Sequence, residues 1–411
     1  MKILYISPPL YGFWECLFEG ATEINGLPSF NKPLRKLIES GHQVDIVLLH
    51  NTKNLPNFNI KASWLKREMI KECLYYENKM ILRPMNIINN RRIIKRLMND
   101  EHYDFVYGHG SATEIFRSTA HKSGIPFGQR LYGTFLWNSI EKNGLFKTKI
   151  KHYIEYNSFK TEKSFLLVTN DGSRGDLTFN AINKGNHPFD FQYWINGVNI
   201  PYSITNGELI DFKRKLVSKP FLFYVARFDE WKRQERAVRI LKKLIDRGHN
   251  IHLYLAGPSE KGNTWYFEYV MDLVEELGLN RNVTYMGHID AKTIYMMCKL
   301  SIASLSLYDV CNLTNVFHEM LAAGSVVIVK NDGVVNDFIK QDENGFVVNY
   351  EEEVVDIVEK LLLNPEISKS IRQRAIETSK TKMLNWDQRI DLEIQLITKY
   401  AKNKKDSKYD K

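Results

Sequence analysis

Residues 305–324 read Leu-Ser-Leu-Tyr-Asp-Val-Cys-Asn-Leu-Thr-Asn-Val-Phe-His-Glu-Met-Leu-Ala-Ala-Gly. This stretch predicts the end of a buried strand, a polar turn, and a helix from Asn315 to Ala323 that stops at Gly324. A second apolar run, Val326 to Val329, follows at once. Strand, turn, helix and strand in this order are typical of a parallel α/β sheet. The unpaired N–H groups at the start of the helix predict an anion site there.

The same alternation of apolar runs and helical stretches continues through both halves of the chain. It predicts parallel sheets covered by helices. Two complete series of strands predict two doubly wound domains, joined near the Gly- and Pro-punctuated run 194–201. The predicted strands are Ile3–Ile6, Val44–Leu49, Phe105–Tyr107, Phe127–Leu131, Phe165–Val168, Leu222–Val225, Ile251–Leu255, Val283–Tyr285, Ile302–Ser304 and Val326–Val329.

Two cations follow the predicted strand that ends at Val225. Arg227 and Lys232 are five residues apart, just before a helix predicted over Gln234–Arg247. Ligands of doubly wound sheets bind outside the carboxyl ends of the strands. An Arg fork and a Lys point charge at that edge suit a diphosphate, although surface cations at a strand end are also common. Glu319, one turn into its helix, faces the same crevice and can accept hydrogen bonds from a ribose, or is simply a solvated carboxylate.

Residues 220–350 contain, in this order, a basic turn, the Gly257-Pro258 turn, a strand that ends at Gly287 and an acidic helix. With this order, they resemble the nucleotide-sugar-binding half of retaining group 1 glycosyltransferases of family 4. The resemblance implies the GT-B fold, in which two Rossmann-like α/β domains face a deep cleft. It implies that Arg227 and Lys232 bind the donor diphosphate, that Glu319 holds the ribose, and that Met286-Gly287-His288 lies by the base. Segments 331–335 and 344–348 look like the closing part of that half.

The resemblance also implies the domain boundaries. Residues 1–195 would bind the acceptor and residues 196–384 the nucleotide sugar. Residues 385–401, with a helix predicted over Trp386–Tyr400, would cross back to the first domain. The polar run 402–411 would be a disordered basic tail.

The turn before Glu319 departs from the family pattern, which has an acidic residue, seven others, then Glu. Position 311 is Cys311, and the nearest acid, Asp309, lies ten residues before Glu319. Either Asp309 fills the acidic position through a longer turn, which the preceding Leu-Tyr favours, or Cys311 occupies it. In the second case the sugar would be held by backbone N–H groups and neighbouring residues of the turn. The donor-binding residues expected in this turn are Asp309, Cys311, Asn312, Leu313, Thr314 and Asn315.

Three loops of the first half carry further expectations. Gly26, after the first strand, matches a family turn that approaches the donor phosphates, or belongs to a plain strand–helix loop. His109, between two glycines at a strand end, is expected to be exposed in the cleft and to contact substrate. Arg130 and Tyr132 take the places of a Thr and a His in the family, so they are expected to reach a phosphate and a sugar hydroxyl.

The charge of the chain is uneven. Residues 1–200 hold 26 Lys and Arg against 18 Asp and Glu, whereas the whole chain has a net charge of +9. The excess is densest over residues 61–96, where Trp64, Leu65, Met69, Ile70 and Leu74 interleave near helical spacing. A basic helix with an apolar stripe can lie on an anionic membrane surface. The alternative is a solvated helix that packs its apolar stripe on the core of the domain.

Composition restricts the remaining choices. No stretch approaches the roughly 20 apolar residues of a membrane span. The chain opens into a strand, without a predicted signal peptide, and its four cysteines form no Cys-x-x-Cys pair, so we expect reduced thiols in the cytoplasm. No Asp-x-Asp, cluster of His and Cys, or nucleic-acid motif occurs. We therefore expect neither a metal nor a cofactor, and no nucleic acid.

The resemblance implies a retaining glycosyltransferase of polysaccharide biosynthesis, and the absence of an Asp-x-Asp or a His and Cys cluster predicts that it is metal-independent. Its partners would be a UDP-, GDP- or ADP-linked sugar as donor and a glycan or lipid-linked hydroxyl as acceptor, with the protein cytoplasmic or peripheral to the inner face of the membrane. The alternative is a non-catalytic GT-B partner subunit, which the changes at Cys311 and Tyr132 favour.

Overall fold

The computed structural model of the chain describes residues 1–10, 12–23, 28–77, 83–198, 203–259 and 264–406. The chain divides into two units: unit 1 comprises Met1–Asn196 and Asp387–Lys411, and unit 2 comprises Gly197–Trp386. Each unit contains a parallel sheet whose strands alternate along the chain with helices, as the alternating sequence pattern predicts. Gly26 lies outside the described residues.

In its described residues, unit 1 contains a seven-stranded sheet with the order β3-β2-β1-β4-β5-β6-β7. The strands are β1 (Lys2–Ser7), β2 (Gln43–His50), β3 (Ile70–Tyr75), β4 (Phe105–His109), β5 (Phe127–Leu131), β6 (Phe165–Thr169) and β7 (Asp190–Trp194). The α-helices between these strands are α1 (Pro28–Glu39), α2 (Arg83–Glu101), α3 (Glu114–Lys122), α4 (Leu136–Lys151), α5 (Tyr153–Lys160) and α6 (Gly175–Asn183).

The described part of unit 2 contains a six-stranded parallel sheet with the order β10-β9-β8-β11-β12-β13. Its strands are β8 (Phe221–Val225), β9 (His252–Ala256), β10 (Val283–Tyr285), β11 (Ala303–Ser306), β12 (Val327–Lys330) and β13 (Phe346–Val348). Its helices are α7 (Asn206–Arg214), α8 (Gln234–Asp246), α9 (Trp265–Glu276), α10 (Ala291–Leu300), α11 (Asn315–Ala322), α12 (Glu351–Leu363) and α13 (Pro365–Lys382).

The strand order of unit 2 reverses between β8 and β11. From β8 the chain moves outward through β9 and β10, then returns to the other side of β8 and moves outward through β12 and β13. The loops after β8 and β11 therefore diverge to opposite sides and leave a crevice at the carboxyl ends of these strands. The central strands are buried on both faces, which explains their continuous apolar sequences.

The last helix, α14 (Trp386–Asp406), belongs to unit 1 from Asp387 onward. It runs past Tyr400, where the predicted helix ends, because residues 402–406 continue with Lys and other helix-compatible residues. The predicted disordered tail is therefore wrong for residues 402–406, and residues 407–411 lie outside the described ranges.

The segment expected to form a basic helix over residues 61–96 has a different structure. Residues Ile70–Tyr75 form the edge strand β3, and the helix α2 begins only at Arg83. Trp64 and Leu65 are buried in the core of unit 1 and cannot insert into a membrane. Their spacing failed as a helix signal because short apolar runs fit a strand or a loop packed on a core as well as they fit a helix.

None of the helices in the described ranges is long and apolar enough to cross a membrane. In the described ranges, Cys16, Cys73, Cys298 and Cys311 form no disulfide bond.

Candidate functional site

Four loops converge at the carboxyl edge of the sheet of unit 2. They follow β8, β9, β10 and β11, and together they carry the predicted residues from Arg227 to Asn315. The packing of these loops is close. The N–H of Gly257 donates to the carbonyl of Gly287 at 2.8 Å, and the Tyr285 hydroxyl donates to the Gly257 carbonyl at 2.9 Å. Unit 2 thus brings the loops after β9 and β10 together at the edge that the sequence predicts.

Gly257 is required by its surroundings. Its φ is +131°, and a Cβ atom there would lie 2.0 Å from the carbonyl oxygen of Ala226. Any other residue would push the loop after β9 away from the loop after β8. Gly287 also has a positive φ, +68°, but open space surrounds its Cα, and His288 beside it is exposed.

Lys232 lies in a single 3₁₀ turn, Glu230–Lys232, between β8 and α8. Its ammonium group is 3.7 Å from the ring centre of Trp231 and 3.7 Å from that of Tyr308. The Tyr308 hydroxyl donates to the Val225 carbonyl at 3.2 Å, which fixes the ring at the end of β8. This aromatic cage stabilises a largely buried cation.

Arg227 is more exposed than Lys232. Its Nε donates to the Asp229 carboxylate at 2.8 Å, so the guanidinium is oriented by a residue two positions away. About 40% of the Arg227 side chain is exposed to solvent, which leaves its charge accessible at the strand end. Arg227 and Lys232 thus present one accessible and one caged cation on the same loop.

The helix α11 begins after Thr314, whose hydroxyl oxygen accepts from the Phe317 N–H at 3.3 Å. Thr314 is therefore the N-cap, and Asn315 is the first helical residue, as predicted. Leu313 is buried. The first N–H groups of α11 lie at the crevice beside β11, where they and the helix dipole favour an anion.

Asn312 stabilises the turn before α11. Its side-chain oxygen accepts from Ser306 at 3.1 Å, its amide donates to the Tyr308 carbonyl at 3.2 Å, and its backbone N–H donates to Asp332 at 2.9 Å. The side chain is fully buried. The prediction that Asn312 contacts a sugar is therefore wrong for its side chain, because its amide group is used within the turn.

Asp309 is surrounded by cations. It accepts from Arg233 and Arg236 at 2.5 Å and pairs with Lys330 at 3.3 Å. Although partial burial works against it, hydrogen bonding to the two Arg residues lowers the pKa of Asp309. Cys311 is buried and has a φ of +60°, an unusual conformation for a side-chain-bearing residue. The Asp309 carboxylate therefore belongs to an ion-pair cluster, and the Cys311 thiol is buried at the tightest point of the turn.

Glu319 lies on α11 and is half-buried. Its carboxylate makes no hydrogen bond or ion pair with the residues that the structure describes. Burial raises its pKa to about 7, and no nearby charge contributes. A carboxyl group held at this cost without a partner is typical of a site whose partner is a ligand. The neighbouring His318 is fully buried, and burial lowers its pKa to about 4.

In unit 1 the structure brings His109, Arg130 and Tyr132 together, but not as predicted. His109, the last residue of β4, is buried rather than exposed because the strand extends two residues beyond the predicted end. Its Nδ1 lies 2.6 Å from the Tyr132 hydroxyl, and its ring stacks on Tyr5. Burial, with a smaller effect of the Arg130 charge, holds the His109 pKa well below its usual range.

Arg130 cannot reach a phosphate. It is fully buried and pairs with the Glu393 carboxylate of α14 at 2.5 Å, while Arg389 pairs with the same carboxylate at 3.1 Å. The Tyr107 hydroxyl donates to the other Glu393 oxygen at 2.6 Å. The expected phosphate role of Arg130 is therefore wrong, because a partner 263 positions later in the chain takes its guanidinium.

Several residues that the sequence analysis did not single out contribute to the site. Trp231 and Tyr308 cage Lys232, and Asp229 orients Arg227. Trp231 and Asp229 lie within three residues of the cations that they contact, so their nearness in the sequence could have identified them. Tyr308 lies 76 positions after Lys232, and only the pairing of β8 with β11 brings the two together.

Comparisons with known proteins agree with this architecture. Residues 207–378 match the family model of glycosyl transferases group 1, which spans unit 2 from α7 to α13. An uncharacterized glycosyltransferase of Methanocaldococcus jannaschii is 23% identical over 343 residues, covering 79% of this chain and 81% of the relative. The second half of the chain therefore carries the group 1 glycosyltransferase pattern.

Solved structures share the fold of the whole chain. Sucrose-phosphate synthase from Thermosynechococcus elongatus aligns with a TM-score of 0.72 and 15% identity, covering 97% of this chain and 98% of that one. Anabaena HepE, solved in complex with UDP and glucose, aligns with a TM-score of 0.68 and 13% identity, covering 96% and 98%. With its two parallel sheets, the chain has the predicted GT-B fold.

Proposed function

We propose that this chain is a retaining glycosyltransferase of family 4 that moves a sugar from a nucleotide-diphosphate donor to a hydroxyl of a glycan or lipid-linked acceptor. The assignment to glycosyltransferases is supported by the match over residues 207–378 and by the relative from Methanocaldococcus jannaschii. The observation that supports a nucleotide-diphosphate donor is the arrangement around the β8–β11 crevice of unit 2. There, two cations, a helix start and an unpartnered carboxyl group share one sheet edge.

Each part of that edge suits one part of a nucleotide sugar. Arg227 and the caged Lys232 would bind the two phosphates, and the N–H groups at the start of α11 would add hydrogen bonds to the same anion. Glu319 would accept from the ribose hydroxyls, which restores the hydrogen bonds that its burial removed. His288 and Gly287, in the loop after β10, would lie by the base. HepE, which shares the fold, is described in complex with UDP and glucose, and this supports a nucleotide-sugar donor.

The chemistry follows from the charge that develops during transfer. The bond between the anomeric carbon and the diphosphate breaks, the acceptor hydroxyl attacks the same face, and its proton passes to the departing phosphate. Arg227, Lys232 and the helix start stabilise the negative charge on that leaving group, which is electrostatic catalysis by preorganised groups. We propose that no metal or cofactor takes part, since the sequence has no Asp-x-Asp and these cations would meet the charge of the diphosphate.

The acceptor would be bound by unit 1. Arg130 and His109 are buried, so neither supplies the phosphate contact or the exposed histidine that the sequence predicts there. Tyr132 is half-buried, and its hydroxyl, paired with His109, remains a candidate contact for a sugar hydroxyl. We place the protein in the cytoplasm, at the inner face of the membrane, where lipid-linked acceptors of polysaccharide biosynthesis are used.

The proposal is tested with a panel of UDP-, GDP- and ADP-sugars. One donor class should raise the melting temperature of the protein and should be hydrolysed slowly without an acceptor. Stabilisation by a nucleotide sugar without hydrolysis or transfer would favour the alternative, a non-catalytic GT-B partner subunit. No stabilisation by any donor class would contradict the proposed donor site.

A further inference from the structure

The helix α4 of unit 1 is a hairpin with an unusual exposed tip. Gly144 interrupts it with φ 74° and ψ 168°, so residues on either side form two arms. The arms are joined by a hydrogen bond between Ser139 and Thr148, whose hydroxyl oxygens are 3.0 Å apart. The tip between them therefore consists of residues 142–146, all of which are exposed.

The second arm of α4 has its apolar side chains on the outside. Thr148 is fully buried, whereas Phe146 and Ile150 are 76% and 65% exposed. In a helix of 3.6 residues per turn, positions two before and two after Thr148 point to the opposite side. Tyr153, at the start of α5, is also exposed, at 60%. An ordinary surface helix buries its apolar residues, so this reversed arrangement indicates a face that contacts something apolar.

The charges around this stripe favour one kind of contact. Lys142, Lys147, Lys149 and Lys151 are exposed, and no Asp or Glu occurs from Lys142 to Ile154. Among the described residues, Lys142, Lys147 and Lys151 form no ion pair. A soluble protein partner would need a face both apolar and acidic, whereas an anionic lipid bilayer offers an apolar interior beneath negative headgroups over its whole surface.

We propose that the α4 hairpin is the membrane-docking element of this chain, with Leu145, Phe146 and Ile150 inserted at the acyl boundary of an anionic bilayer and the four lysines at the headgroups. This inference rests on the proposed function, because it names the surface that carries the enzyme to a lipid-linked acceptor. It replaces residues 61–96, whose apolar side chains Trp64 and Leu65 are buried.

The test is sedimentation of the full chain with vesicles of phosphatidylcholine, with and without phosphatidylglycerol, at low and high salt. The protein should bind the anionic vesicles, and salt should release it. The double variant Phe146→Ser with Ile150→Ser should lower the apparent affinity by roughly tenfold or more, since two large apolar side chains leave the bilayer. Both side chains are mostly exposed, so the variant should fold normally.

A matched control comes from α2, where Met85 and Ile88 are 76% and 50% exposed beside basic residues. Met85→Ser with Ile88→Ser should leave binding unchanged. The proposal would be overturned if this control lost as much vesicle binding as the α4 variant, or if the wild-type protein stayed in the supernatant. It would also be overturned if the α4 variant lost self-association but still bound vesicles. Hydrolysis of a water-soluble donor should be the same in both variants, so failure of docking remains distinct from failure of the proposed function.

Discussion

The ammonium group of Lys232 lies 3.7 Å from the centre of the Tyr308 ring, although the two residues are 76 positions apart. Trp231 covers the cation at the same distance from another side. Aromatic rings attract the charge of the ammonium group, so the two rings hold Lys232 in place at the end of β8. A cation fixed in this way costs little reorganisation when an anionic group binds or develops beside it.

The first prediction concerns this lysine and Arg227. Lys232→Ala or Arg227→Ala should lower kcat by roughly 100-fold or more, because each removes a charge that stabilises the departing diphosphate. Steady-state kinetics with the donor found by the panel measures this effect. Lys213→Ala, which removes an exposed cation of α7, is the matched control and should retain wild-type turnover. Near-normal turnover in both site variants would refute the assignment.

The second prediction concerns Glu319. Glu319→Gln should weaken binding of the free nucleoside diphosphate by about 1.5–3 kcal/mol, because a charged acceptor for the ribose hydroxyls is lost. It should also stabilise the unliganded protein at alkaline pH. The folded-state pKa of about 7 is above the ordinary value of 4.5, so ionising Glu319 disfavours the folded state increasingly from pH 4.5 to 7 and fully above pH 7.

Calorimetry and melting curves at two pH values check both parts. The melting temperatures of the variant and the wild type should be similar near pH 5, and the variant should be higher at pH 8. Unchanged nucleotide affinity would remove Glu319 from the donor site. A variant that melts lower than the wild type at pH 8 would show that the carboxylate has a stabilising partner.

The third prediction separates two roles for Asp309. If Asp309 acts as the centre of an ion-pair cluster, Asp309→Asn should destabilise unit 2 by about 1–3 kcal/mol. It should then weaken binding of the nucleoside diphosphate and of the nucleotide sugar to the same degree. If Asp309 instead contacts the sugar, Asp309→Asn should weaken binding of the nucleotide sugar alone. Chemical denaturation and the ratio of the two affinities distinguish these outcomes, and an effect confined to the sugar would restore the longer-turn interpretation.

The fourth prediction concerns metal dependence. Sugar transfer should continue at its full rate in excess EDTA, because the charge of the diphosphate is met by Arg227, Lys232 and the helix start. In the described ranges, no group of three or more His, Cys, Asp or Glu residues is arranged to hold a metal ion. Activity that is abolished by EDTA and restored by manganese would contradict the proposal.

The fifth prediction concerns the buried ion pairs that attach α14 to unit 1. Glu393→Gln should destabilise the protein by about 3–5 kcal/mol, because Arg130 and Arg389 would then be buried without their carboxylate. Combining Glu393→Leu with Arg130→Met and Arg389→Met should recover much of the loss, since no unpaired charge remains. Denaturant unfolding measures both variants, and a single variant as stable as the wild type would show that water reaches the site.

Residues of the central strands were predictable because their apolar runs are continuous. Each of the ten predicted strands is present, with ends that differ by one or two residues at most. The strands that the sequence analysis missed, β3, β7 and β13, all lie at sheet edges in the described residues. In β3 and β7 the sequence mixes polar and apolar residues, as the half-buried Asp190–Trp194 illustrates, because an edge strand is covered less completely. The apolar β13 has only three residues, too few to give a clear strand signal.

Some features of the candidate site were likewise predictable from the sequence, and others were not. The positions of Arg227, Lys232 and Glu319 at one sheet edge could be predicted from the sequence, because strand ends and helix starts follow local rules. The burial of His109, the capture of Arg130 by Glu393 and the caging of Lys232 by Tyr308 depend on contacts between residues far apart in the chain. Only the folded chain decides these, because whether a side chain is exposed or engaged depends on what packs against it.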